Sequence, residues 1–273
     1  MEINKVHHMK CQNGMALMEA DTVDLVVTSP PYDNLRTYND SSEWNFESFK
    51  EVAHGITRVL KTGGVCMWNV GDAVVDGSET LSSFRQAIYF KDECGLNMHD
   101  VMIYQKPSAA YPASANSNRY SQVFEYCFIL SKGKPKTSNL IKDKKNAWAG
   151  TKNWGTSSSR QKDGSLKKGG SIVVDDYGYR DNIWRITNTY GFGQASKGAH
   201  SHPATMPEQL AKDHILTWSN KGDLVLDPFM GSGTTARMAY QLDRDWIGFE
   251  IDATYYELCK ELTVFNNVFE LSA

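Results

Sequence analysis

The sequence contains no long apolar run: nothing in its 273 residues approaches the roughly 20 consecutive apolar residues that a membrane-spanning helix needs. Its start, Met1–His8, carries no signal-like apolar stretch. Cysteine is scarce. Five residues, Cys11, Cys66, Cys94, Cys127 and Cys259, are odd in number and widely scattered, with no C-x-x-C pair. A disulfide framework and a structural zinc site are therefore both excluded, and the cysteines within apolar runs read as buried free thiols. The seven histidines form no ligand pattern; His200 and His202 read as an exposed loop pair. No metal centre is expected, and a reducing cytoplasm is the expected location. Internal repeats are also lacking, as is a strong charge of one sign, the formal net charge being -3.

What is present is ordinary for a globular protein: 41% hydrophobic and 22% charged residues, enough to bury a core without staples. The length suits one large domain or a domain with an insertion. Charge is unevenly spread. Residues 131–170 hold eleven Lys/Arg opposed only by Asp143 and Asp163, leaving 18 basic against 30 acidic residues elsewhere. A basic segment on an acidic body suits a polyanion-facing element, while its Gly, Ser, Lys and Asn content also suits a solvated loop.

Short apolar runs alternate with helical patterns, predicting a mostly parallel sheet flanked by helices. Strands are expected at Val23–Val27, Val65–Val70, Met98–Gln105, Ser121–Leu130, Leu224–Leu226 and Trp246–Ile251. Helices are expected at Phe46–Leu60, closed by Gly63-Gly64, at Leu81–Glu93, at Met206–Ser219 after Pro203, and from Thr234 and Thr254. Residues 131–200 lose this rhythm, until Asn182–Ile186 reads as a strand returning to the main body.

Two motifs carry chemistry. Asp227-Pro228-Phe229-Met230-Gly231-Ser232-Gly233-Thr234-Thr235 joins a strand to a helix, where glycines allow a tight turn and close approach to a ligand. It lacks the Gly-Lys-Ser/Thr of a phosphate loop, so the anion to satisfy near the helix-terminal N–H groups is the carboxylate of an amino-acid-like cofactor. Glu250, at the end of the next strand, and Asp252 are placed to accept hydrogen bonds from ribose hydroxyls. A merely tight strand-to-helix turn is the plain alternative. The second motif, Thr28-Ser29-Pro30-Pro31-Tyr32, also ends a strand. Its prolines stiffen the backbone and remove two donors, leaving the carbonyls of Ser29 and Pro30 as acceptors beside the Tyr32 ring. Acceptors plus a stacking ring suit an amino-bearing planar heterocycle; alone, the motif is equally a stiff strand exit.

Together, Thr28–Tyr32 followed much later by Asp227–Thr235 resembles the beta class of amino-methylating DNA methyltransferases. In that class the catalytic S/D/N-P-P-Y motif precedes the target-recognition region, and the F-x-G-x-G cofactor motif follows it. His202-Pro203-Ala204 through Leu210 is similar to that family's cofactor-flanking helix start, and Asp243–Glu250 to its second cofactor strand. The resemblance covers residues 15–130 and 200–265; where many relatives have Gly-Asp before the first helix, Met9-Lys10 stands here. It implies a circularly permuted, mostly parallel doubly wound α/β fold. Residues 1–130 and 201–273 then form the catalytic domain and 131–200 the target-recognition region. The cofactor implied is S-adenosyl-L-methionine, held by Asp227, Phe229, Gly231, Ser232, Gly233, Thr234, Glu250 and Asp252.

An exocyclic base amine is a poor nucleophile because its lone pair is delocalised into the ring, and attack on the sulfonium methyl places positive charge on its nitrogen. The Ser29 side chain and Pro30 carbonyl, aimed at the amine hydrogens, stabilise that charge. Pro31 holds the geometry and Tyr32 stacks on a base flipped out of double-stranded DNA. Asp33, Asn34 and Arg36 are candidates to close over the base, or a solvated loop. Carbon-5 methylation needs a cysteine nucleophile in a Pro-Cys loop, which is absent. Serine at position 29 is the form associated with cytosine N4, which is preferred; adenine N6 stays open. Lysines of 131–170 are expected to contact phosphates. Trp148, Trp154, Tyr177 and Tyr179 are expected mostly to pack a small subdomain core rather than serve as wedges. A cognate restriction endonuclease is a candidate partner, and monomer against homodimer is left open. The rival readings are an RNA or protein-amide methyltransferase, whose motifs run in the other order, and an inactive DNA-binding regulator.

Overall fold

The computed structural model describes residues 1–32, 44–107, 118–153, 158–169, 172–187 and 205–264. Asp33, Asn34, Arg36, Trp154, His200, His202, Pro203 and Ala204 lie outside the described residues. The chain divides into a main unit, Met1–Asn139 with Asn182–Ala273, and a smaller one, Leu140–Asp181.

Among the described residues, the main unit is built on an eight-stranded sheet: β1 Lys5–His8, β2 Val23–Thr28, β3 Leu60–Val70, β4 Asn97–Gln105, β5 Phe124–Ser131, β6 Ile183–Arg185, β7 Leu224–Asp227 and β8 Asp245–Glu250. Their order in the sheet is β1-β8-β7-β2-β3-β5-β4-β6. Five neighbouring pairs are parallel; β5 runs antiparallel to both β3 and β4. The helices are α1 Cys11–Leu17, α2 Phe46–Val59, α3 Ser82–Asp92, α4 Glu208–Trp218, α5 Thr234–Gln241 and α6 Ala253–Leu262. Among the described residues, no helix is long and apolar enough to cross a membrane.

Both sheet faces are covered, so the central strands are apolar without alternation, as buried parallel strands are. Leu25, Val26 and Val27 are all fully buried. Cys66, Trp68 and Val70 join Phe49, Val52 and Ile56 of α2 and Phe90 of α3 in one core cluster. Asn45 starts α2 with a capping box, its side chain accepting from the Ser48 N–H at 3.0 Å while the Ser48 hydroxyl accepts from the Asn45 N–H at 2.9 Å. For α3 the cap comes from outside: the Asp72 carboxylate accepts the Ser83 N–H at 2.9 Å.

Several expectations are corrected. Gly63-Gly64 does not stop α2, which ends at Val59; both glycines lie inside β3, Gly63 at φ +84° hydrogen-bonded to the segment after β5. Helix α4 begins at Glu208 with Pro207 as its N-cap, later than the expected Met206. Strand β1 was not foreseen, because it buries only Val6 and shows no apolar run.

The smaller unit is a set of antiparallel two-stranded ribbons: Lys142–Lys145 with Tyr177–Tyr179, Lys152–Asn153 with Ile172–Val173, and Ser158–Arg160 with Leu166–Lys168. Its first ribbon is fastened by the Arg180–Asp143 and Lys144–Asp181 ion pairs. Trp148, Tyr177 and Tyr179 are 74%, 52% and 57% exposed, so they do not pack a core as expected; single ribbons have no second layer to bury them.

Candidate active site

The two motifs meet where the winding of the sheet reverses. From β2 the chain crosses through α2 to β3 on one side; from β7 it crosses through α5 to β8 on the other. Strands β2 and β7 are parallel neighbours, with Val225 opposite Leu25 and Leu226 opposite Val26. Their carboxyl ends therefore open a crevice of the kind in which doubly wound sheets bind ligands.

Asp227 fastens the two strand ends together. Its Oδ1 accepts the Thr28 hydroxyl at 2.6 Å and the Phe229 N–H at 3.0 Å, and its Oδ2 accepts the Thr235 hydroxyl at 2.7 Å. The carboxylate is buried, and burial raises its pKa against the lowering effect of these three donors. Asp227 thus braces the crevice from within, Oδ1 with two protein donors and Oδ2 with one.

The glycine turn then runs from Gly231 at φ +52° to Gly233 at φ +80°, the N-cap of α5. Left-handed backbone of this kind favours glycine. Glu250, at the end of β8, accepts the Gly231 N–H through Oε2 at 2.9 Å and the Asp252 N–H through Oε1 at 2.8 Å. Burial raises its pKa. Asp252 caps α6, accepting the Thr254 and Tyr255 N–H groups at 2.8 and 3.0 Å. Ser232 and Thr234 are buried, and Arg237 donates to the Ser232 carbonyl at 2.7 Å. Phe229 lies edge-to-face with Trp44, ring centroids 5.2 Å apart, a residue the sequence did not single out. Met9-Lys10 stands directly before α1.

On the catalytic side, Pro30 is buried and Ser29, Pro31 and Tyr32 are partly buried. The Ser29 hydroxyl donates to the Tyr32 hydroxyl at 2.9 Å, and the Tyr32 hydroxyl donates to Glu125 Oε2 at 2.8 Å. The Asn69 amide donates to both Tyr32 Oη and Glu125 Oε2, at 2.7 and 2.8 Å. Lys106 pairs with Glu125 Oε1 at 2.5 Å, and the Cys127 thiol donates to the Asn69 carbonyl oxygen at 3.1 Å. Burial and the neighbouring Glu125 carboxylate push the Tyr32 phenol well up, so it stays a donor. Gly71 lies against the Tyr32 ring.

Asn69, Lys106, Glu125 and Cys127 were missed by sequence reasoning. A signal existed: Asn69 interrupts the apolar Val65–Val70 and Glu125 interrupts Val123–Leu130. A polar group in a buried strand requires partners, though sequence does not say which. Cys11, Cys66, Cys127 and Cys259 are buried free thiols; burial pushes Cys11 and Cys259 up to about 12.

A family model described as DNA methylase of the N6/N4 methyltransferases matches residues 23–261. The chain is 52% identical over 241 residues to the orphan methyltransferase M.BamHII of Bacillus amyloliquefaciens, covering 88% of each chain. In fold it is similar to the PvuII cytosine-N4-specific DNA methyltransferase, with a TM-score of 0.71 at 20% identity, over 98% of this chain and 88% of that one. The structure of M1.HpyAVI with S-adenosylmethionine gives a TM-score of 0.59 at 20% identity, over 94% and 98%. S-adenosyl-L-methionine is the methyl donor of this family. The residues at the end of β8 fit it: Glu250 accepts the Gly231 and Asp252 N–H groups, and its acceptor-only carboxylate suits a ribose hydroxyl. The DNA methylase match over residues 23–261 and the 52% identity to M.BamHII show that this chain belongs to the N6/N4 DNA methylase family, the S-adenosylmethionine-dependent amino-methylating DNA methyltransferases.

Proposed function

We propose that the target is the N4 amine of a cytosine flipped out of double-stranded DNA. The observation that carries this reading is serine at position 29, held at the carboxyl end of β2 with its hydroxyl proton turned inward to Tyr32. Its lone pairs are then left for the amine hydrogens, and the Pro30 carbonyl supplies a second acceptor. When bound, S-adenosylmethionine supplies an electrophilic methyl group. Ser29 and Pro30 stabilise the positive charge that grows on nitrogen as the new bond forms, and Tyr32 stacks on the base while Pro31 keeps the corner rigid. Flipping costs a few kcal/mol, offset in part by that stacking. Serine is also the form associated with N4 chemistry in the family that the two motifs resemble.

The test is to incubate unmethylated duplex DNA with the protein and S-adenosylmethionine and sequence the product for modified bases. N4-methylcytosine at one recurring sequence is the expected result; N6-methyladenine would move the assignment to the other base and leave the fold reading intact. Similarity to a methyltransferase described as an orphan supports action without a cognate endonuclease.

We infer further that the smaller unit, Leu140–Asp181, belongs to the target-recognition region spanning 131–200. A two-stranded ribbon fits the major groove, and Arg160, Lys167 and Lys168 lie exposed on one. Replacing these three by glutamine is expected to flatten the dependence of log Kd on log salt by about 2–3, near 0.9 per lost phosphate contact. An unchanged slope removes this ribbon from the interface.

A further inference from the structure

We propose that Glu125 is a positioning residue that sets the direction of hydrogen bonding in the catalytic corner, and so makes Ser29 an obligatory acceptor toward the target amine. This rests on the reading of Ser29 as the group that faces that amine.

The argument follows the protons. Glu125 Oε2 faces two groups, the Tyr32 hydroxyl and the Asn69 amide nitrogen. An ionised carboxylate has no proton to give, and an amide nitrogen can only donate. The phenol must therefore spend its single proton on Glu125. Its oxygen can then only accept, and it does so from Asn69 and from Ser29. Ser29 in turn spends its own single proton inward, leaving only lone pairs for whatever lies in the crevice. A serine free to rotate could present its proton instead, donor against donor, to an amine that bears two hydrogens. The Lys106 ammonium pairs with Oε1, and the Cys127 thiol on the Asn69 side-chain oxygen fixes which end of that amide faces Tyr32. The direction is thus specified from a lysine and a cysteine, through a carboxylate and a phenol, to the one hydroxyl at the reacting centre.

Glu125→Gln tests this with little change of shape. The ammonium of Lys106 demands the amide oxygen, which turns the amide nitrogen toward Tyr32 and reverses the chain. Single-turnover methyl transfer to duplex DNA is expected to fall by about tenfold or more, with cofactor affinity unchanged within about twofold. Removing the ammonium frees the amide to rotate, so Glu125→Gln/Lys106→Met is expected to come within about threefold of Lys106→Met alone. With Tyr32→Phe as background the link is cut, and adding Glu125→Gln is expected to change the rate less than about twofold. A residue that merely supported the corner would give the same loss in every background. Wild-type rate in Glu125→Gln, an equal loss on Tyr32→Phe, or no recovery with Lys106→Met would each overturn the proposal.

Neutron diffraction from the wild-type protein decides the same point without a mutation that might unfold it. Deuterons on Ser29 Oγ pointing to Tyr32 and on Tyr32 Oη pointing to Glu125 are expected; a Tyr32 deuteron pointing to Ser29 overturns the proposal. If the wild-type chain transfers no methyl group to DNA, the functional reading fails instead, and the deuteron positions still settle the direction.

Discussion

Asp227→Ala is expected to lower the unfolding midpoint by about 6–12 °C and to abolish methyl transfer together with measurable cofactor binding. The size follows from what is stranded. Three donors, the hydroxyls of Thr28 and Thr235 and the Phe229 N–H, end on this one buried carboxylate. Removing it leaves buried donors unsatisfied at about 1–3 kcal/mol each, or about 3 kcal/mol once the hydroxyls rotate, and each kcal/mol moves the midpoint of a chain this size by about 2–4 °C. Thr235 has a second acceptor in the Val27 carbonyl, at 3.3 Å, and can turn to it. The functional loss exceeds the stability loss because the same carboxylate joins the end of β2 to the end of β7, holding the Ser-Pro-Pro-Tyr corner beside the glycine turn. Asp227→Asn sharpens the test. Its oxygen can keep Thr28 and Phe229, and its amide can donate to Thr235, whose proton then goes to Val27. Asn should therefore recover most of the stability in thermal unfolding and part of the activity. An Asp227→Ala protein that melts like wild type would show that the carboxylate does not brace the crevice.

Glu250→Ala is expected to weaken cofactor binding by about 100-fold or more, or about 3 kcal/mol, because hydrogen bonds to a charged acceptor are worth about 1.5–3 kcal/mol each. Two are seen, from Gly231 and Asp252, and they hold the glycine turn against β8. Titration calorimetry measures this directly. The pH dependence adds a second check. Burial raises the Glu250 pKa, so on acidification it takes up a proton at a higher pH than an ordinary glutamate, near 4.3. Cofactor affinity should therefore be level near neutrality and fall on the acid side while exposed glutamates are still ionised. Glu250→Gln should bind more weakly at neutral pH and lack that fall. The contribution to folding has the opposite sign. A raised carboxyl pKa means the folded chain holds the proton more tightly than the unfolded one, so this group's contribution to stability declines as pH rises through that window. Affinity falling with stability over the same range would point to general acid unfolding instead.

Much of the crevice was readable from the chain alone, because each of its motifs is contiguous. Proline pairs, left-handed glycines and an acid at a strand end are local signals, and Val23–Thr28, Leu224–Asp227 and Asp245–Glu250 are apolar runs that end at them. What escaped was set by pairing at a distance. That Asp227 also ties two strand ends together was not legible, because its partner Thr28 lies 199 residues away in sequence. Glu125 and Asn69 stood out only as polar residues in apolar strands, and nothing local joins them to Tyr32. Gly63-Gly64 has the chemistry of a helix stop, but α2 turns straight into β3 at Leu60, so the glycines serve the strand instead. The exposed aromatics of the ribbons were misjudged because burial depends on a second layer that those residues do not provide.

The sheet order has a consequence for how the protein is made. Strands β1 and β2 leave the ribosome well before β7 and β8, which lie between them in the sheet. Until residue 250 has been synthesised, the growing chain carries an unfilled gap with strand edges on both sides. Open edges invite pairing with other chains, and long-range parallel pairing is slow to form. The bond from Thr28 to Asp227 can close only when that gap is filled. Products stalled before β7 and β8 thus lack a finished crevice, which forms when those two strands are inserted rather than by gradual stages.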